Sequence, residues 1–296
     1  MCDATFTFGQ RGSHFFQCPS QRDTTRLPRK LTTLLSSPQI QQVHHVALGY
    51  EDSFLITWRD KDNQDRINTV GLPAELITFL YARNDNGRPA RNIPAIRCTL
   101  GPQNTSFFAH DSAAYLWMNL PPDLLSALQS RIQNGSWTDR PRLVALGADA
   151  TFVLITAQHR VIWTLDPYPL LSTHLETLRA ARRIPDLTNI TLHAYRYGCF
   201  VAQSRDGTLR AENLPPHQQS GLKTMADAVA RDSLRAGRSV PRREIDPPVV
   251  PRPSPLQERA RVRREWNDHT QRFTAQSKGL KLSVSFSIGG LARVLG

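Results

Sequence analysis

Leu143-Val144-Ala145-Leu146-Gly147-Ala148-Asp149-Ala150-Thr151-Phe152-Val153-Leu154-Ile155-Thr156 is followed closely by Arg160-Val161-Ile162-Trp163-Thr164-Leu165-Asp166-Pro167. The segment reads as three short strands and the opening of a helix. Leu143–Gly147, Thr151–Thr156 and Arg160–Leu165 are rich in aliphatic, β-branched and aromatic residues, which suit a pleated, half-buried surface. Gly147-Ala148-Asp149 and Gln158-His159 separate them as turns. Asp166 then reads as a helix cap and Pro167 as a first-turn residue, where a missing N–H has no partner to lose. Leu170, Leu171, His174, Leu175 and Leu178 follow at helical spacing and form one apolar stripe.

The same order recurs along the chain. Val46–Gly49, Phe54–Trp58 and Ile67–Val70 precede Leu72-Pro73; Cys98–Gly101, Ser106–Phe108 and Ala114–Trp117 precede Leu120-Pro121. Thr191–Ala194, Cys199–Ala202 and Gly207–Arg210 precede Leu214-Pro215. The first copy has Thr5–Gly9 and His14–Phe16 before Leu27-Pro28 and lacks a clear third strand, as a terminal repeat often does. The leucines Leu27, Leu72, Leu120, Leu165 and Leu214 stand 45, 48, 45 and 49 residues apart. A period of that length predicts a repeat architecture, in which each unit buries its apolar face against its neighbours. The expected fold is mainly β with short helices: a five-repeat β-propeller-like array over residues 1–237, with about three strands and a Leu-Pro-led helix per repeat. An open solenoid of αβ units is the alternative.

The Val144-Ala145-Leu146-Gly147, Phe152-Val153 and Val161-Ile162-Trp163 blocks resemble the blade cores of tectonin-type repeats and, more faintly, of chromosome-condensation-regulator repeats. The whole chain is also similar to uncharacterised fungal repeat proteins with the same blocks. The first two resemblances imply a propeller that binds proteins, glycans, lipopolysaccharide or chromatin; the third implies no activity.

Composition narrows the function classes. The 296 residues carry a net charge of +12, with 37 Lys and Arg against 25 Asp and Glu. Residues 231–296 hold 14 basic and 6 acidic residues, so most of the excess lies near the C-terminus. Such a segment attracts polyanions unless it is simply a solvated tail. No apolar run approaches the length of a membrane span, and Met1–Phe8 lacks a basic start before an apolar stretch, so neither a span nor a secretory signal is expected. Four scattered cysteines, Cys2, Cys18, Cys98 and Cys199, suit reduced thiols and a cytoplasmic or nuclear protein. The glycosylation triplets at Asn104, Asn134 and Asn189 then read as accidental.

Several residues have both a packing and a binding reading. Trp58, Trp117 and Trp163 either wedge between repeats or form a ring of binding aromatics; wedging needs nothing beyond the repeat itself. Gly9, Gly49, Gly101 and Gly147 fit a backbone position that needs positive φ or close approach. The nine histidines form no metal-ligand spacing, His44 and His45 pointing to opposite faces of a strand, and no catalytic arrangement or cofactor motif is expected. Arg83, Arg88, Arg91, Arg97, Arg140, Arg142, Arg179, Arg182 and Arg183 lie between repeats, where they either form a basic rim or pair locally with Asp85, Asp139 or Asp186.

Beyond the repeats, 238–256 reads as a Pro-rich linker and 257–296 as a basic helix followed by a strand. The helix, over Glu258–Arg272, clusters Arg259, Arg261, Arg263 and Arg264 around Trp266; Leu280–Ile288 alternates strictly. A strand with one wholly apolar face needs a partner, either an edge of the repeat domain or a second chain. These features point to a non-enzymatic intracellular protein-interaction scaffold. The alternative is a module that binds nucleic acid, anionic lipid or carbohydrate. Candidate binding residues are Arg140, Arg142, Arg182, Arg183, Arg259, Arg261, Arg263, Arg264 and Trp266.

Overall fold

The computed structural model describes residues 2–238, 269–274 and 283–288. Each repeat folds as a three-stranded antiparallel meander. The sheets are β1–β3 (Thr5–Phe8, His14–Cys18, Gln21–Thr25), β4–β6 (Ile40–Leu48, Phe54–Asp60, Asp65–Val70), β7–β9 (Arg97–Leu100, Phe107–His110, Ala114–Met118), β12–β14 (Pro141–Leu146, Phe152–Thr156, Val161–Thr164) and β15–β17 (Leu187–Leu192, Phe200–Ser204, Leu209–Glu212). A small hairpin, β10–β11 (Ile132–Gln133, Ser136–Trp137), lies between the third and fourth sheets in sequence.

A helix follows each sheet: α1 (Arg29–Leu35), α2 (Ala74–Leu80), α3 (Pro122–Gln129), α4 (Pro169–Ala180) and α5 (Pro216–Arg238). The Leu-Pro step has a repeated mechanical role. Pro28, Pro73 and Pro121 occupy the cap positions of α1 to α3, with φ near −50° and ψ near 140°. Their fixed φ suits this extended entry, and each carbonyl accepts the first helical bond, from Thr32, Ile77 and Leu125. Gln219 donates to Pro215 in the same way.

Five cores lie between successive sheets, each wedged by the helix that joins them. Leu31 of α1 packs with Phe15 of the first sheet and Val46, Phe54 and Ile56 of the second. Leu76, Phe79 and Leu80 of α2 join the second and third sheets, and Leu124 and Leu128 of α3 join the third and fourth. Leu171, Leu175 and Leu178 of α4 fill the next gap. The last core returns to the start: Leu222, Met225, Ala228 and Val229 of α5 pack with Val201 of the fifth sheet and Phe6, Phe8 and Phe16 of the first. Burying one such side chain contributes about 1.5–3 kcal/mol, so these gaps dominate the stability.

The structure corrects several details read from sequence. The first repeat does have a third strand, Gln21–Thr25; being wholly polar and alternating half-buried with exposed positions, it carries no hydrophobic signal. The inner strand of the fifth repeat ends at Leu192 rather than continuing to Ala194. Asp166 does not cap α4, whose cap is Tyr168, with Pro169 in the first turn. Leu234 of α5 is 62% exposed, and Ala228 is buried in the stripe instead. The end of the expected C-terminal helix is strand, β18 (His269–Thr274); the expected C-terminal strand is present as β19 (Ser283–Ile288), and both extend the third sheet in the order β18-β19-β9-β8-β7. The Pro-rich stretch and most of the basic helix lie outside the described residues.

Candidate interaction face and central cavity

The inner strands β1, β4, β7, β12 and β15 line one cavity of about 350 Å³. An inner strand pairs with only one neighbour in its own sheet, so its other edge exposes backbone donors and acceptors that need partners. Side chains from the adjacent sheet supply them. Leu48 N donates to Thr7 Oγ1 (3.0 Å), Leu146 N donates to Thr99 Oγ1 (3.4 Å), and Thr191 Oγ1 donates to Phe6 O (2.9 Å). These threonines stand two residues before the end-of-strand Gly position in the first, third and fifth repeats. Asn189 donates to Ala4 O, Arg142 Nη1 to Leu187 O, and His45 Nε2 lies 3.1 Å from both N and O of Cys98. Every neighbouring pair of inner strands, including the fifth with the first, is therefore bridged.

At the Gly end of these strands the chain turns into the second strand through one repeated clamp. The N–H groups of Gly9, Gly49, Gly101 and Gly147 donate to the carbonyls of Ser13, Ser53, Ser106 and Thr151, at 2.9–3.0 Å. A Cβ on each glycine would meet that same residue's hydroxyl oxygen at 2.0–2.5 Å. Close approach, not positive φ, explains these glycines, and the Ser or Thr that follows four or five residues later is the half of the motif that sequence reading missed. His193 and Cys199 replace the pair in the fifth repeat, with His193 N donating to Cys199 O.

The five turns touch one another. Glu51 N donates to Gln10 Oε1, Tyr50 N to Asn104 Oδ1, and Tyr197 OH to Asp149 Oδ2 (2.7 Å). His193 stacks on Phe8 at 4.9 Å. Asn104 is the hub between the second and third turns: it is buried, and its amide nitrogen also donates to Ser53 Oγ and Gly71 O. Its glycosylation triplet is thus absorbed into structure. Within this joined surface Glu51 and Tyr197 are exposed.

Burial sets the protonation of three histidines. It pushes His45 down to about 3 and His110 to about 4, with Arg97 acting in the same direction on both; burial and Arg196 bring His193 to about 4. All three are neutral imidazoles, and Nδ1 of His193 accepts from Tyr195 N. Burial also raises the Cys2, Cys98 and Cys199 thiols to about 12, which makes them poor nucleophiles. Among the described residues no group of three or more His, Cys, Asp or Glu is placed to hold a metal ion, and no helix is long and apolar enough to cross a membrane.

The sequence-derived candidates separate in space. Arg140 and Arg182 are exposed, and Arg183 is exposed but paired with Asp186 at 2.8 Å. Arg142 is half-buried and lines the cavity. Arg259, Arg261, Arg263, Arg264 and Trp266 lie outside the described residues. Other inter-repeat arginines have local partners: Arg91 sits over Phe79 (4.5 Å) and beside Asp111, Arg97 pairs with Asp3 (3.2 Å), and Arg179 lies over Trp163 (4.9 Å). Of the expected acidic partners, only Asp186 takes that role among these arginines. Trp58 and Trp117 are buried between sheets and Trp163 is packed against the α4 core, so the tryptophans wedge. The sequence matches no protein-family model, no curated protein and no solved structure.

Proposed function

We propose that the five sheets form a five-bladed propeller-like ring, and that the chain is a non-enzymatic intracellular protein-interaction scaffold. The five joined turns carry this reading. One backbone clamp holds each turn rigid, while the residues between the clamp positions differ from turn to turn: Gln10-Arg11-Gly12, Tyr50-Glu51-Asp52, Pro102–Thr105, Ala148–Ala150 and Ala194–Gly198. Rigid frames that present variable loops are suited to recognition. The return of the fifth core onto the first sheet supports the ring, and four buried free thiols suit a reducing compartment.

Affinity capture with the full chain tests the proposal. Specific protein partners are expected to be lost from the double variant Glu51→Ala/Tyr197→Ala and kept by a chain ending at residue 238. The opposite pattern would move the function to the C-terminal segment. Exposed Arg140 and Arg182 favour the second reading, binding of a polyanion. Capture that collapses steeply with salt, and fails for Arg140→Ala/Arg182→Ala, would replace the scaffold reading with that one.

A further inference from the structure

Arg142, which lines the cavity between the inner strands, has a guanidinium whose hydrogen bonding is incomplete. Arg142 Nη1 donates to Leu187 O at 3.0 Å. Its Nε and Nη2 are withdrawn from solvent and have no acceptor among the described residues. These two N–H groups form the side-on edge of the guanidinium, which matches the two oxygens of a carboxylate or phosphate. The protein uses this edge elsewhere: Arg59 places Nε on Asp65 Oδ1 (2.9 Å) and Nη2 on Asp65 Oδ2 (3.2 Å). A buried cationic donor without an acceptor is costly, since it has lost water and gained nothing in return.

The surroundings favour an anion over a neutral ligand. Arg97 also lines the cavity, and Arg205 adds a like charge acting on Arg142. Among the described residues Asp3 is the only acidic one lining the cavity, and its carboxylate is already paired with Arg97. The lining imidazoles, His45 and His110, are neutral donors or acceptors rather than competing charges. Gln203, buried on the same lining, has a side-chain carbonyl with no donor among the described residues. It suits a hydroxyl or amide N–H on the same ligand. A volume of about 350 Å³ is at the small end of the usual range for ligand pockets.

We propose that this cavity is a binding site for a small oxyanion, a carboxylate or phosphate group on a metabolite-sized molecule, received side-on by Arg142. The site is independent of the proposed turn-face scaffold, and its test reads binding rather than partner capture.

Calorimetric titration of the full chain with succinate and, separately, with inorganic phosphate tests the site, alongside the NMR signal of Arg142 Nε–H. Saturable binding of at least one probe is expected, with a downfield shift of that signal; the probe that binds identifies the carboxylate or the phosphate as the group received. Arg142→Lys keeps the charge but removes the fork, and is expected to weaken binding by about tenfold or more. Arg29→Ala, at an exposed arginine of α1 that does not line the cavity, should leave it unchanged. If neither probe at millimolar concentration moves the Arg142 signal in the wild-type chain, the proposal is wrong and water satisfies the edge. Equal binding by a folded Arg142→Lys variant would also overturn it. Should that variant not fold, the wild-type Arg142 signal still decides.

Discussion

At the scale of single residues, the glycines of the turn clamp differ in what opposes a side chain. An added Cβ at Gly101 would meet one hydroxyl, Ser106 Oγ, which can rotate away. At Gly49 it would meet Asn104 Oδ1, Ser53 Oγ and Leu100 Cδ1 at 2.3, 2.5 and 2.9 Å, and the first two are already engaged in the hydrogen bonds that join two turns. Gly49→Ala is therefore expected to cost about 1–3 kcal/mol and Gly101→Ala distinctly less, measured by urea denaturation. Gly207 is a third case. It has φ +90° and faces the backbone of α5, with Ala230 Cα at 2.6 Å from the added Cβ. Backbone cannot rotate away, so Gly207→Ala should exceed about 3 kcal/mol. Gly49 and Gly101 were visible in the sequence as repeat positions. Their reason was not, because the opposing hydroxyl becomes relevant only once the turn is closed.

The neutral histidines yield a pH prediction at the same scale. His45, His110 and His193 have folded values far below the ordinary imidazole, so below about pH 6.5 the unfolded chain takes up protons that the folded chain refuses. Stability is expected to be full above that value and to fall progressively as pH drops toward 4. Melting temperatures at a series of pH values should show this decline, and His45→Gln should make it shallower. An unchanged slope in a folded His45→Gln variant would remove His45 from the account.

At the scale of elements, α5 secures the last repeat to the first. The Asp232 carboxylate accepts from both N and Oγ of Ser20 at 2.9 Å, His217 and Gln218 reach Gly12 O, and Gln21 reaches Thr224 O. Burial alone would raise the Asp232 carboxyl, but the Ser20 donors outweigh it and hold the group below the ordinary carboxylate range. That contribution is present above the unfolded value and is lost as pH falls through the lower folded value. Asp232→Ala should destabilise the protein by about 1–3 kcal/mol. Amide exchange should rise first in α5 and β3, where the lost contact lies. Sequence periodicity predicted a fifth helix here, but not its partner, since nothing in a local pattern states which distant sheet receives an apolar stripe.

At the scale of the whole molecule, the five cores are linked in a cycle rather than stacked with free ends. A chain ending at Leu214 would leave Phe6, Phe8, Phe16 and Val201 without the helix that covers them. Such a chain is expected to lose its single cooperative thermal transition. A chain ending at residue 238 keeps all five cores and should melt within a few degrees of the full protein, with increased amide exchange confined to β9, where β19 pairs. A large loss of melting temperature in that shorter chain would instead make the C-terminal strands part of the closure.

What the sequence determined by itself is the unit: three strands and a helix in four copies, two strands and a helix in the first, with aromatic and most leucine positions assigned to packing. Those features are local, because strand and helix periods and the Leu-Pro entry depend on neighbouring residues only. Tertiary structure decided the rest. Arg142 and Arg140 are two residues apart and look alike in sequence, yet one lines the cavity with a half-used guanidinium and the other is exposed. Likewise Asn104 reads only as part of an accidental glycosylation triplet until two turns meet around it. The physical reason is common to both. Burial and hydrogen-bond satisfaction depend on which distant strands are brought together, and that information appears only when the last helix packs against the first sheet.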